Sequence, residues 1–253
     1  MSSRGVKPEY PDSSCVVEIG PRVWWIGDAS EGGFFQCNTY LIEQGDNSVL
    51  IDLGTIKTFS NVLCKINDII PFNSVKYFIC HSPAPNIVGV LSLVEQLVFR
   101  QDAFIVTHSL AKLLLQHYDF RYPFLTVEDE NWALELEDRT LEFCFTPHAH
   151  FSGAFTTYDP LSKLMFTGGV FCGFPRQFTL FARDVSYVHW MKRYHQQYMP
   201  SNEIMSYALS AIKQYDIEMI APQHGSLISK ELLPFIFEKL RTLDCGFSHF
   251  SKK

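Results

Sequence analysis

Short apolar runs closed by turn residues alternate along this chain with longer stretches of helical spacing. The first pattern reads as strands and the second as helices. Strands are predicted at 16–19 and 23–27 around Gly20-Pro21, and at 38–43 and 48–52 around Gln44-Gly45-Asp46-Asn47. Phe59, Val62, Leu63, Ile66, Ile69 and Ile70 mark a helix over 58–70. Strand 75–80, helix 86–99, strand 104–107 and helix 109–117 follow, with Ser109 placed as an N-cap. Strands come next at 140–145, 154–159 and 164–166, then helices at 184–198 and 201–214. A strand at 217–221 and a helix at 230–243, kinked or restarted at Pro234, close the chain. Hairpins first, then alternating helices and strands, predict an α/β protein: two sheets with helices outside, a four-layer αββα sandwich. Residues 1–14 are polar and Pro/Ser-rich and read as a loose tail. One domain is expected over 15–253, without repeat or linker.

Three of the predicted strands run into a histidine. Met219–Ile228 reads M-I-A-P-Q-H-G-S-L-I, so His224 sits on a turn framed by Pro222 and Gly225. His81 ends the run V-K-Y-F-I-C-H, and His150 ends L-E-F-C-F-T-P-H-A-H. Loops at strand ends carry the chemistry of layered α/β proteins. One common site built from His81, His150 and His224 is therefore expected.

Composition narrows the classes. The chain is 47% hydrophobic with a net charge of −6 and has no basic run, so no nucleic-acid partner is expected. Its start lacks the apolar core of a signal peptide, and no apolar stretch is long enough to span a membrane. The 7 cysteines include no C-x-x-C pair and read as small buried hydrophobes of a reduced, cytoplasmic protein. No G-x-S-x-G elbow, phosphate loop or dinucleotide fingerprint is present. The aromatics Phe34, Phe35, Phe171, Phe174, Phe178, Phe181 and Trp190 are candidates to line a pocket, with core packing the expected role for most of them.

Seven segments then carry a family likeness. In order they are N-T-Y-L-I (38–42), L-I-D-L-G (50–54), I-C-H (79–81), H-F-S-G-A-F-T-T-Y-D (150–159), L-M-F-T-G-G-V-F (164–171), Y-M-P-S-N (198–202) and A-P-Q-H-G-S (221–226). Together they resemble the metallo-β-lactamase-like domain of flavodiiron proteins. The match is best to the stand-alone oxygen-binding diiron branch and its sensory relatives. It covers roughly 15–247, and implies a metallo-β-lactamase-like αββα fold. No flavodoxin-like segment follows, so no flavin is expected in this chain.

In that family a His-x-Glu-x-Asp-His run, a later His, a bridging Asp and a final His hold two irons. The resemblance lays the run on His81-Ser82-Pro83-Ala84-Pro85-Asn86. His81, His150 and His224 match ligands. Pro83, Pro85 and Asn86 replace Glu, Asp and His, and the bridging Asp falls on Gly169. The remaining imidazoles are neutral, while hard iron needs carboxylates to balance its charge. A stable di-iron centre is not expected, and low occupancy by iron, or a single zinc on three histidines, stays open. His148, Asn86, Asp52 and Cys172 are candidate helpers in that pocket. Asp52 is read as orienting a neighbour, Cys172 as lying near the mouth, and Gly169 as opening space.

The resemblance thus implies a sensory or regulatory domain, non-catalytic, on a flavodiiron-like scaffold. The alternative is an iron protein that binds or reduces oxygen or nitric oxide at a rebuilt site. A metallo-hydrolase ranks third, because no acidic residue remains in the 81–86 run to serve as base. Partners implied are a diatomic gas, a second copy of the chain, and a C-terminal signalling output domain in a longer protein.

Overall fold

The computed structural model describes residues 15–28 and 36–250. The expected tail at 1–14, and Phe34 and Phe35, lie outside the described residues. The first sheet begins as a meander of β1 (Val17–Gly20), β2 (Val23–Trp25), β3 (Tyr40–Ile42) and β4 (Ser48–Ile51), all antiparallel. After α1 (Phe59–Asn67) the chain adds β5 (Val75–Ile79) parallel to β4. Helices α2 (Pro85–Val88) and α3 (Leu91–Leu97) cross over to β6 (Phe104–Thr107), and α4 (Ser109–Leu115) leads to β7 (Phe124–Thr126). These last two strands are also parallel to their neighbours.

The second sheet takes β8 (Ala133–Glu135), β9 (Thr140–Phe145), β10 (Phe155–Asp159) and β11 (Leu164–Phe166) as antiparallel neighbours. Helices α5 (Val188–Tyr198) and α6 (Asn202–Ile212) then intervene. Strand β12 (Met219–Ala221) pairs parallel to β11, and β13 (Ile228–Ser229) pairs antiparallel to β12. Helices α7 (Leu233–Arg241) and α8 (Phe247–Phe250) complete the described chain.

Alternation along each strand explains the layering, because successive side chains point to opposite faces. Tyr40 and Ile42 of β3, and Val49 and Ile51 of β4, face the second sheet. Leu41 and Leu50 between them face α1 and α3, together with Phe59, Val62 and Val94. On the other sheet Leu164 and Phe166 meet the inter-sheet core, while Met165 packs under the helices with Met191, Met205 and Ile236. Three buried clusters separated by two sheets make the αββα sandwich. A buried ion pair ties it across: Arg139 meets Asp159 at 2.7 Å and also donates to the Pro21 carbonyl at 2.8 Å.

Several local expectations change. The helix expected over 86–99 is two helices, divided at Gly89-Val90, where glycine is a poor helix former. Ser109 is not the cap of α4. His108 is, its Nδ1 accepting from the Leu110 amide at 3.1 Å, while Ser109 donates to Glu128. The last helix does restart at Pro234, which sits in the first turn of α7. Strands β7, β8 and β13 were not expected, since two or three residues show too little periodicity. Cys37, Cys80, Cys144, Cys172 and Cys245 are buried, and Cys15 and Cys64 are exposed. Among the described residues, no helix is long and apolar enough to cross a membrane.

Candidate functional site

The three histidines at strand ends line one cavity of about 240 Å³. His81 follows β5, His150 the turn after β9, and His224 the turn after β12. The cavity therefore opens between the two sheets at one end of the sandwich.

His81 is fully committed. Asp52 follows β4 with a left-handed backbone, φ 51°, a conformation that concentrates at functional sites. Its carboxylate accepts from the His81 amide at 3.2 Å and from His81 Nδ1 at 2.9 Å. The other ring nitrogen, Nε2, bonds the Thr157 hydroxyl at 2.9 Å.

His224 is committed as well. Its Nδ1 donates to the Gln36 carbonyl at 2.8 Å, and its Nε2 accepts from the Asn86 amide at 2.9 Å. Burial pulls its pKa down to about 4, so the ring is neutral at pH 7. The turn itself is held from the first sheet. Asn38 Nδ2 donates to the Pro222 and Gly225 carbonyls at 2.8 Å each, and Tyr40 adds a bond to Pro222 at 2.6 Å. Those contacts explain N-T-Y-L-I and A-P-Q-H-G-S as one unit.

His150 differs from both. Its backbone is left-handed at φ 80°, and neither ring nitrogen has a hydrogen-bond partner. Burial, with His224 nearby, pulls its pKa down to about 3. Its ring lies 4.9 Å from that of Tyr194 and 5.3 Å from that of His195. His195 is wholly buried with two unpartnered nitrogens of its own, and its pKa is held far below the usual histidine value by burial.

Two expected helpers, His148 and Cys172, fall elsewhere, and Gly169 plays a different part from the one expected. His148 is exposed and is not among the cavity's lining residues; its carbonyl accepts from the His150 amide at 2.8 Å. Cys172 is wholly buried rather than at the mouth, donating to the Gly168 carbonyl at 3.1 Å and accepting from the His224 amide at 3.3 Å. Burial pushes its thiol pKa up, which leaves no reactive thiolate. Gly169 lines the cavity but opens no space: a Cβ there would stand 2.8 Å from the His150 ring. Of the aromatics singled out, Phe171 is core under the helices with Trp190 packed against that core, Phe178 and Phe181 pack against the inter-sheet core, and Phe174 stands edge-on to Tyr194 at 4.8 Å. The aromatic lining comes from Phe151, Phe155, Tyr194 and Tyr198 instead. Thr157, Gln36, Asn38, Gln223 and His195 also belong to the site or its support. Asn38, Thr157 and Gln223 lie in segments that carry the likeness, but ligand positions point to none of the five.

These residues do not fit a pair of irons. His81 and His224 spend both ring nitrogens on protein partners. No carboxylate lines the cavity, and Asp52 is engaged by His81. Among the described residues, no group of three or more His, Cys, Asp or Glu is arranged to hold a metal ion. The same finding gives a three-histidine zinc no support.

Over 240 residues the chain is 29% identical to an uncharacterized protein of Methanocaldococcus jannaschii, covering 88% of this chain and 59% of that protein. The chain thus spans well under two thirds of that relative's length. The apo state of the chemotaxis sensor ODP from T. denticola superposes with a TM-score of 0.77 at 23% identity, covering 94% of this chain and 97% of that one. The flavodiiron protein from Giardia intestinalis superposes with a TM-score of 0.78 at 19% identity, covering 92% of this chain and 59% of that one. A further structure is a peroxy diiron species of the chemotaxis sensor ODP, with a TM-score of 0.79 at 22% identity over 94% of this chain and 97% of that one. At such identities the likeness establishes the fold. Residues 35–225 match the model of the ODP family beta lactamase, and the chain belongs to that family.

Proposed function

We propose that this chain is a sensory or regulatory domain that works without a di-iron centre and without turnover. One observation carries the reading: both ring nitrogens of His81 and of His224 are bonded to protein groups. A metal would have to break one of those bonds on each ring, and no carboxylate in the cavity would offset its charge. The same scaffold serves a chemotaxis sensor in a structural relative, which supports a signalling role. The signal would pass to a second copy of the chain or to an output segment of a longer cytoplasmic protein.

A second reading keeps iron, with oxygen or nitric oxide as its gaseous ligand. It is favoured by the unpartnered nitrogens of His150 and His195 and by the diiron species of the relative. Nothing favours a hydrolase. Metal content separates the two readings. Protein purified without oxygen and then offered ferrous iron is expected to retain far less than one metal per chain. Two irons per chain, retained through gel filtration, would overturn the proposal.

A further inference from the structure

The cavity has a chemical character of its own, and that character selects a ligand class. We infer that it binds a flat, uncharged organic molecule carrying a hydrogen-bond acceptor, of the size of a single-ring amide. This inference rests on the metal-free reading above.

Size comes first. A volume of about 240 Å³ is far more than a diatomic gas needs. It equals roughly eight waters at their liquid volume of ~30 Å³ each, and lies just under the range of drug-sized pockets. Charge comes second. No Asp, Glu, Lys or Arg lines the cavity. An ionised ligand would lose its hydration and meet no countercharge.

Hydrogen bonding comes third. Buried polar groups almost always have partners, so the exceptions call for explanation. Gln223 is only 5% exposed, lines the cavity, and its Nε2 has no partner. An amide nitrogen only donates, so the ligand must accept. Both nitrogens of His150 are unpartnered on the same cavity. An imidazole carries at least one N–H in either protonation state, and so also suits a ligand that accepts. Shape comes last. Tyr194 and Tyr198 stack at 4.8 Å and 19°, and Tyr198 is 44% exposed at the rim. Those rings give a planar, apolar wall against which a flat ligand packs.

Benzamide, benzoate and benzamidinium share one shape and differ in charge, which makes them the probes. Each is titrated by calorimetry into the metal-free full chain, with metal content measured on the same sample. Benzamide is expected to bind, with benzoate and benzamidinium at least about tenfold weaker. Gln223→Leu is expected to weaken benzamide about tenfold. Tyr198→Ala, a change at an exposed position, is expected to weaken it several-fold with the far-ultraviolet dichroism unchanged. Failure of benzamide to bind metal-free protein overturns the inference and leaves the sensory reading standing. So does binding of either ion as tightly as benzamide. Two irons per chain in the sample overturn the sensory reading and this inference with it.

Discussion

Acidification from pH 7 to pH 4.5 is expected to cost this protein about 5 kcal/mol of stability from two histidines alone. His150 and His224 have folded pKa values of about 3 and about 4, against an unfolded value near 6.5. Between those limits the unfolded chain binds protons that the folded chain refuses. Stability then rises with pH across the window, and is lost as pH falls from 6.5 towards 4. Two units below 6.5, each group costs about 2.7 kcal/mol. The loss is comparable with the whole stability of many domains, roughly 5–15 kcal/mol. His195 pulls in the same direction. Urea unfolding at pH 7, 5.5 and 4.5 reads the effect directly. A midpoint that stays flat over that range would mean that the imidazoles are not buried neutral.

His195→Phe supplies the control. The residue is wholly buried and hydrogen-bonds to nothing through its ring, so Phe keeps the packing and removes an unsatisfied polar group. The variant is expected to match or exceed the parent at pH 7 by about 1 kcal/mol. Its advantage should widen at pH 4.5, because one proton-linked penalty is gone. An advantage that shrinks on acidification would assign the pH dependence to other groups.

The sandwich was legible because burial repeats with period two along strands such as 40–42 and 48–51, whose faces meet different cores. The three histidines were legible because each ends an apolar run at a turn. Their partners were not. His224 is bonded to Gln36, 188 positions away, and His81 to Thr157, 76 positions away. No local pattern marks such pairs. His195 looks like an ordinary polar residue of α5 until the fold brings the Tyr194 and His195 rings against His150. Gly169 misled for the opposite reason. An absent side chain suggests room, but the His150 ring had already filled it.

Asn38→Ala is expected to destabilise the fold by about 4 kcal/mol and to loosen the His224 turn. Asn38 is wholly buried and uses its side chain completely. It donates to the Pro222 and Gly225 carbonyls, and its Oδ1 accepts from Trp25 Nε1 at 2.8 Å and Gln36 Nε2 at 2.7 Å. Truncation strands two donors and the Gly225 carbonyl, while Tyr40 still serves Pro222. Each buried group left without a partner costs roughly 1–3 kcal/mol, less what water recovers in the new space. The damage reaches the site because Gln36 also holds His224 through its carbonyl and the Gly225 amide through its side chain, at 2.8 and 3.2 Å. Asn38→Asp tests the cause. It keeps the acceptor for Trp25 and Gln36 but turns a carboxylate oxygen towards two carbonyls, so it should be at least as harmful as Ala at pH 7. Chemical denaturation ranks the two variants, and benzamide titration of the survivors reports the cavity. A stability equal to the parent in Asn38→Ala would show that the turn does not depend on the Asn38 side chain, and that Tyr40 and Gln36 suffice to hold it.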